Sequence, residues 1–331
     1  MKDNEMAHNI EKIAFLGSRA DVWHHLGSEM VPGQSLEVWA REAGLDWHAV
    51  KVPAIADCSA LGQGLQTMRD RSFIVRSDTA APLGYVSGED ENEGYRICQP
   101  LEVLDWFQRY IGVDDRFELD TAMSLKGGAL IAVTARFNGA LSVLGEAHKA
   151  RLLMSTSFDG SASTVNQMTM TRVVCNNTLN IALADKRASV KTRHSSAFDP
   201  AKVGEELAGL AASVAGYTAM AEAMVAIHLT ARQVSDLFKQ LLAIPFDAKP
   251  DDISTKKMNV FLALGDAYTA TVEEGTPPGT AWTALNAVTR FVDHERATRG
   301  GASPVEARFL SAQFGSGAAL KAQAHKLLLA A

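Results

Sequence analysis

"FELDTAMSLKGGALIAVTARF", residues 117–137, is the stretch that decides the expected fold. Two runs rich in apolar and β-branched residues flank a pair of glycines, Gly127 and Gly128. Glycines between such runs are typical of hairpin turns, because glycine readily adopts the positive φ angles that these turns need. A second hairpin is expected in "RLLMSTSFDGSASTVNQMTMTRVVC", residues 151–175, with its turn at "FDGSAS". Successive hairpins predict an antiparallel sheet.

The segments on either side of the hairpins complete the expected architecture. "SFIVRS" and "PLGYVSG" have strand-like composition, and "PLEVLDWFQRYIG" has apolar residues at helical spacing after Pro100. From Asp199 onward the chain is rich in Ala, Leu, Glu and Met, which favour one long helix or two and then more helices. The expected fold class is α+β: an antiparallel sheet of β-hairpins with packed helices, followed by a mostly α-helical C-terminal part.

The same changes of pattern suggest three regions. Residues 1–70 are expected to form an N-terminal arm or cover, 71–198 an antiparallel α+β core, and 199–331 a helical region packed on that core. An Ala-rich helix expected at 203–229 and the aromatic arm offer more apolar surface than the sheet covers. Such a surplus predicts a homo-oligomer.

Composition indicates an ordinary globular protein. The 331 residues are 47% hydrophobic and 21% charged, with a net charge of -6. This balance excludes a surface coated in nucleic-acid-binding charge, but it permits a local basic patch. The N-terminus lacks an apolar core of signal-peptide length, and the most apolar run contains Tyr217, Glu222 and His228. We therefore expect a cytoplasmic protein that does not enter a membrane.

The familiar catalytic and cofactor motifs are missing from the sequence. Cys58, Cys98 and Cys175 lie far apart without a CxxC pair, which argues against a zinc site and a disulfide framework. No GxxxxGK[ST], GxSxG or HExxH occurs, and "LGQGLQ" and "FGSGAALK" lack the third glycine of a dinucleotide fingerprint. We expect no cofactor and no metal, and we assign no catalytic residue.

Some residues remain candidates for acid–base chemistry. They are Asp159, His194, Asp293 and His294. Asp159 is interpreted as part of a hairpin tip, with a tip that contacts phosphate or a partner as the alternative. "FVDHER" is interpreted as the solvated end of an amphipathic helix, with acid–base work as the alternative. The adjacent His24 and His25 would point in different directions on a strand or a helix, so they are not expected to chelate one metal ion.

The strongest functional signal is "TRVVCNNTLNIALADKRASVKTRH", residues 171–194. One of its two asparagines is expected to cap a helix that begins near Thr178, and a helix N-terminus offers free N–H groups to a phosphate. In the basic strand at 188–194, alternation places Lys191 and Arg193 on one face. The nucleic-acid-binding candidates are Arg172, Asn176, Asn177, Lys186, Arg187, Lys191 and Arg193.

Several of these motifs together resemble the phage/plasmid-like protein family, whose shared region is a domain of unknown function. They are "WHHLG", "YRICQPLEVLDWF", "TRVVCNNTLNIAL" and "GTAWTALNAVTRFVDHERATRG". The resemblance implies an accessory protein of phages, prophages or plasmids, and it brings no established catalytic residues. The polar run "MSTSFDGSASTVNQ" departs from the more apolar pattern expected of the family.

The hairpins followed by a helix are also similar in outline to the Rad52-like single-strand annealing proteins, which hold DNA in a basic groove. The expected function is therefore an accessory protein that binds single-stranded DNA and promotes annealing and recombination as a homo-oligomer. Two alternatives remain open. One is a non-enzymatic factor that interacts with host or phage proteins, and the other is an enzyme acting on nucleotides or nucleic acid.

Overall fold

The computed structural model describes residues 10–17, 27–89, 94–107, 117–160, 162–172, 178–180, 189–196, 210–297 and 304–330. The chain divides into two compact units, each made of three separate segments. Unit 1 consists of Met1–Gly139, Arg151–Gln167 and Ser189–Ala208, and unit 2 consists of Ala140–Ala150, Met168–Ala188 and Gly209–Ala331. The expected α+β class is confirmed, with hairpin strands in the N-terminal part and mostly helices in the C-terminal part.

The strands carry most of unit 1. They are β1 (Ile10–Leu16), β2 (Ser28–Met30), β3 (Ala49–Asp57), β4 (Leu65–Arg76), β5 (Pro82–Ser87), β6 (Phe117–Leu125), β7 (Leu130–Phe137), β8 (Leu141–Val143), β9 (Glu146–Ser157), β10 (Thr164–Arg172), β11 (Thr178–Asn180) and β12 (Ser189–Thr192). Within the described residues of unit 1, one sheet runs from β12 through β10, β9, β7, β6 and β1 to β2, and a second sheet contains β3, β4 and β5. In unit 2, β8 pairs with the first half of β9, and β11 pairs with the second half of β10.

Unit 1 contains two of the described α-helices, and unit 2 contains the other six. They are α1 (Leu36–Ala43) and α2 (Pro100–Trp106) in unit 1, then α3 (Leu210–Ala226), α4 (Ala231–Leu241), α5 (Thr255–Glu273), α6 (Ala281–Arg290), α7 (Pro304–Phe314) and α8 (Ser316–Leu328) in unit 2. One long helix or two were expected from Asp199 onward, and within the described residues 210–241 the chain forms two, α3 and α4. Thr230 caps α4 by accepting a hydrogen bond from Gln233 N. In the described ranges, no helix is both long enough and apolar enough to span a membrane.

The hairpin of β6 and β7 turns at the expected glycines. Lys126, Gly127 and Gly128 have φ angles of 51°, 65° and 97°. The strands then pair from Leu125 with Leu130 back to Phe117 with Phe137. A Cβ on Gly128 would lie 3.1 Å from atoms of Trp47 and Arg76, so this position excludes a side chain for two reasons, conformation and space.

The core of unit 1 lies around β7. Ile131, Ala132 and Val133 are fully buried, so this strand is covered on both faces. Helix α1 packs against β1 and β6 and buries Trp39, and α2 packs against β7 and buries Trp106. Burying large aromatic side chains against aliphatic strands supplies much of the hydrophobic free energy of a core of this size.

The core of unit 2 lies around α6. Every residue from Ala281 to Thr289 is buried. The ring of Trp282 meets the buried ring of Tyr217 from α3 edge to face, with centroids 6.0 Å apart. Helices α3, α5 and α8 all contact α6. The described helices of unit 2 therefore pack around one central helix.

Candidate nucleic-acid interface

Lys191 and Arg193 lie on the outer side of a strand in unit 1. Strand β12 pairs antiparallel with β10, and Lys191 stands opposite Val165. Lys191 and Arg193 are exposed, whereas Thr192 and His194 are half-buried. The side chains therefore alternate in the way expected of a strand, and both cations reach solvent.

The structure does not describe the side chains of the other candidate residues. Asn176, Asn177, Lys186 and Arg187 lie outside the described residues. Arg172 ends β10 in unit 2, and its side chain is likewise outside the described part. The geometry of the candidate interface can therefore be described for Lys191 and Arg193.

The helix expected to begin near Thr178 is wrong. Residues Thr178–Asn180 form β11, which pairs with β10 in the register Thr171 with Thr178 and Thr169 with Asn180. The capping prediction relied on a local preference of asparagine, but pairing with a neighbouring strand satisfies these backbone groups without a helix. The described residues therefore provide no helix N-terminus at Thr178 for a phosphate.

His194 fixes the position of the chain immediately after Arg193. Its Nδ1 lies 3.1 Å from the carbonyl oxygen of Arg96 and its Nε2 lies 3.0 Å from that of Ala162. The imidazole stacks on the ring of Tyr95, with centroids 4.2 Å apart and planes 15° apart. Tyr95 in turn donates a hydrogen bond to the carbonyl oxygen of Ser157. These contacts hold the chain next to Arg193 in one position.

Burial lowers the pKa of His194 below its ordinary value, while the two carbonyl groups and the nearby Asp159 act in the opposite direction. A neutral imidazole has one N–H group and can therefore donate to only one of the two carbonyls, while a cationic imidazole can donate to both. The imidazole lies between two carbonyl acceptors, and within the described residues no nucleophilic group contacts it. The geometry therefore indicates a structural role for His194, which holds the end of β12 in place.

Arg96 adds a third positive charge beside the strand. Its backbone N–H donates to the carbonyl oxygen of His194 at 2.5 Å. Its side chain is half-buried. Sequence reasoning missed this residue because 98 positions separate it from His194. Only the long-range contact reveals it.

Asp159 sits in a turn that is packed rather than projecting. Phe158 is fully buried and meets the Trp47 ring edge to face, with centroids 5.3 Å apart. A Cβ on Gly84 would overlap the backbone of Asp159, so β5 passes directly against this turn. The Asp159 carboxylate lies 3.6 Å from Lys126 Nζ. These contacts account for Asp159 as part of a half-buried hairpin turn.

The solvated turn expected at Asp293 and His294 is wrong. Residues Phe291–Glu295 form a π-helical turn after α6, and Asp293 is fully buried. Its Oδ1 lies 2.5 Å from Nζ of Lys321, a buried residue of α8. The amphipathic pattern of α6 ends near this turn, and for that reason the turn was expected to be solvated. Helix α8 covers the turn, and its Lys321 supplies the counter-charge of Asp293. Lys321 is a partner that sequence spacing did not indicate.

The described residues contain no group of three or more His, Cys, Asp or Glu side chains placed to hold a metal ion.

A family model described as "Domain of unknown function (DUF932)" matches residues 89–312 of the chain. The matched range includes β12 with Lys191 and Arg193, and it begins after β5. No curated protein matches the chain, and no solved structure matches it.

Proposed function

The chain belongs to the DUF932 family, whose shared domain has no known function, and from that premise we propose that it binds single-stranded DNA through the cationic end of β12. The cationic end is defined as Lys191 and Arg193 together with Arg96. In its full form, the proposal is an accessory protein of a phage or plasmid that promotes annealing of complementary strands during recombination. The biological source rests on the motifs that resemble the phage/plasmid-like family.

The observation that carries this proposal is the exposure of two cations that have no ion-pair partner among the described residues. Lys191 and Arg193 are exposed, and neither forms an ion pair within the part of the chain that the structure describes. The whole chain carries a net charge of -6. Uncompensated positive charges on an acidic protein favour a negatively charged partner at that location.

The anchoring of the strand makes this charge pair suited to a polyphosphate. Pairing with β10 fixes the backbone of Lys191, and the contacts of His194 fix the residue that follows Arg193. A preorganised pair of cations loses little conformational entropy when it binds. Such contacts follow a phosphate backbone without reading bases, which is what annealing requires of a protein.

Salt dependence tests the proposal most directly. If the three cations of the interface neutralise about three phosphates, the logarithm of the affinity for single-stranded DNA should fall with the logarithm of salt concentration with a slope of roughly -2. In the variant Lys191→Glu, Arg193→Glu, the slope should flatten by about one to two units. Fluorescence anisotropy with a labelled oligothymidylate measures both slopes.

A charge-matched control separates a local site from a general effect of net charge. Lys249 and Lys256 are exposed lysines of unit 2, so Lys249→Glu, Lys256→Glu changes the net charge equally. This control should keep the slope of the unmodified protein. The test variant should unfold within about 1 kcal/mol of the unmodified protein, because exposed charges contribute little to folding. The proposal fails if the unmodified protein does not bind at low salt, or if the test variant keeps the original slope.

A further inference from the structure

The three-stranded sheet of β3, β4 and β5 has one buried face and one open face. On the buried face, Ser72 and Ile74 are fully covered and Val86 is 4% exposed. Side chains alternate along a strand, so the intervening residues project to the other side. There, Phe73 and Tyr85 stand directly opposite each other in the β4–β5 ladder and are 37% and 43% exposed.

The open face is apolar and aromatic where a polar surface is usual. The rings of Phe73 and Tyr85 lie with centroids 5.4 Å apart and planes 53° apart. Val52 stands opposite Phe73, and Val50, on the same side of β3, is 38% exposed. The solvated face of an antiparallel sheet normally carries polar side chains. Contiguous exposed apolar residues mark an interaction surface.

Arg71 on this face, with Arg69 two positions before it in the chain, indicates the chemistry of the partner. The guanidinium carbon of Arg71 lies 5.7 Å from the centroid of the Tyr85 ring. Arg69 and Arg71 are exposed, and within the described ranges neither forms an ion pair. Exposed aromatic rings stack on unpaired bases, and neighbouring arginines bind the phosphates that join those bases. A partner that combines flat rings with negative charge fits this face.

The open face is linked to the cationic end of β12 by neighbouring backbone segments. Strand β5 ends at Ser87, whose carbonyl oxygen accepts a hydrogen bond from Tyr95 N at 3.0 Å. The next residue, Arg96, donates through its N–H to the carbonyl oxygen of His194. Adjacent hydrogen-bonded segments lie about 5 Å apart, so roughly 10 Å separates the backbone of Ser87 from that of His194. Gly84, opposite Ile74 of the buried face, packs against the turn at Asp159, so a DNA strand that runs from the open face to the cationic end passes around the edge of the sheet at β5. A short length of single strand can cover that distance.

We infer that the open face stacks unpaired nucleobases on Phe73 and Tyr85 while the phosphates of the same strand contact the cationic end of β12. The inference rests on the proposed function and adds selectivity for single strands over duplex to it. Bases inside a duplex are stacked on each other and cannot reach the two rings. The residues of the open face precede position 89, where the match to the family begins.

Threonine substitutions remove the rings and keep β-branched residues in the strands. For the variant Phe73→Thr, Tyr85→Thr, the affinity for oligothymidylate should fall about tenfold for each ring, roughly a hundredfold in total. The slope of affinity against salt should stay unchanged, because no phosphate contact is removed. The matched control is Val31→Thr, which changes an exposed valine of unit 1 outside the open face and should bind as the unmodified protein does.

A direct signal comes from the single variant Phe73→Trp. Trp39, Trp47, Trp106 and Trp282 are all at most 4% exposed, so an indole at position 73 adds an accessible reporter. Its fluorescence should be quenched when oligothymidylate is added, and a duplex of matched length should quench it much less. Circular dichroism and the unfolding midpoint establish that each variant is folded.

The outcomes separate the inference from the proposed function. If the unmodified protein binds no single strand, the proposed function fails and the inference fails with it. If single strands bind with the expected salt slope but the double threonine variant binds equally tightly, the inference alone is overturned. It is also overturned if the double variant changes the mass measured by light scattering and leaves the affinity unchanged, since the face then joins copies of the chain.

Discussion

At the scale of single residues, the protonation of His194 makes the stability of the fold around the candidate interface depend on pH. Burial holds its pKa below the ordinary value, so the unfolded chain binds a proton more readily than the folded chain does. The histidine therefore leaves stability untouched above about pH 6.5 and reduces it as the pH falls below that value. His325 is shifted in the same direction by burial, so a variant is needed to separate the two.

We expect the unmodified protein to lose more unfolding free energy between neutral and mildly acidic pH than the variant His194→Gln does. Glutamine can still donate to a carbonyl group but does not titrate. Urea unfolding at a series of pH values measures the difference between the two proteins. A titration of the His194 ring by NMR that gave a pKa above about 6.5 would contradict the argument.

The local sequence pattern predicts the exposure and contacts of a residue well only when its neighbours in sequence decide its environment. The exposure of Lys191 and Arg193 follows from alternation along one strand, which the sequence displays directly. The role of Arg96 depends on a contact with a residue 98 positions away. Likewise, nothing near Asp293 in the sequence indicates that Lys321 supplies its counter-charge.

At the scale of elements, the buried ion pair joins α8 to the π-helical turn after α6. Asp293 Oδ1 and Lys321 Nζ lie 2.5 Å apart, and both residues are buried. Removing one member of such a pair leaves a buried charge without its counter-charge, whereas replacing both by apolar residues is often tolerated. The pair therefore makes the position of α8 depend on both partners being present.

For Lys321→Met we expect a loss of about 3–5 kcal/mol of unfolding free energy. The double variant Asp293→Leu, Lys321→Met should recover most of that loss. Lys256→Met, at an exposed position of α5, serves as the control and should change the stability by less than about 0.5 kcal/mol. A loss below about 1 kcal/mol for Lys321→Met in urea unfolding would show that the pair does not hold α8 in place.

Elements were predictable where a turn residue decides them, and not where a distant strand does. Gly127 and Gly128 specify the β6–β7 turn because few other residues adopt their φ angles. By contrast, Thr178–Asn180 followed the pairing with β10 instead of the local signal for a helix. Strands β4 and β5 were anticipated from "SFIVRS" and "PLGYVSG", whereas β3 lies in the segment expected to be an arm. The open aromatic face became visible only when register assigned each side chain to a side.

At the scale of the whole molecule, the expected homo-oligomer has a specific candidate contact in unit 1. The tip of the β3–β4 hairpin exposes Ile55 (50%), Leu61 (78%) and Leu65 (70%). Exposed apolar residues at the end of a hairpin arm favour burial against another copy. This tip is distinct from the residues that carry the open aromatic face.

We expect static light scattering to give a mass above that of one chain at micromolar concentrations. Leu61→Asp, Leu65→Asp should shift the protein toward the monomer, because two charges cannot be buried in an apolar contact without a large cost. Leu262→Asp, on exposed α5, is the control and should keep the original mass. A strict monomer for the unmodified protein contradicts the prediction.

The division of each unit into three separate segments has a consequence for working with pieces of this chain. Strands β9 and β10 each give one part to each unit, so no single cut separates the two units. A gene truncated after residue 208 would encode the three segments of unit 1 but would leave residues 140–150 and 168–188 without the helices of their unit, and the apolar surface exposed in this way promotes aggregation. Minimal versions of this protein for expression should therefore be made by shortening loops within the full-length reading frame.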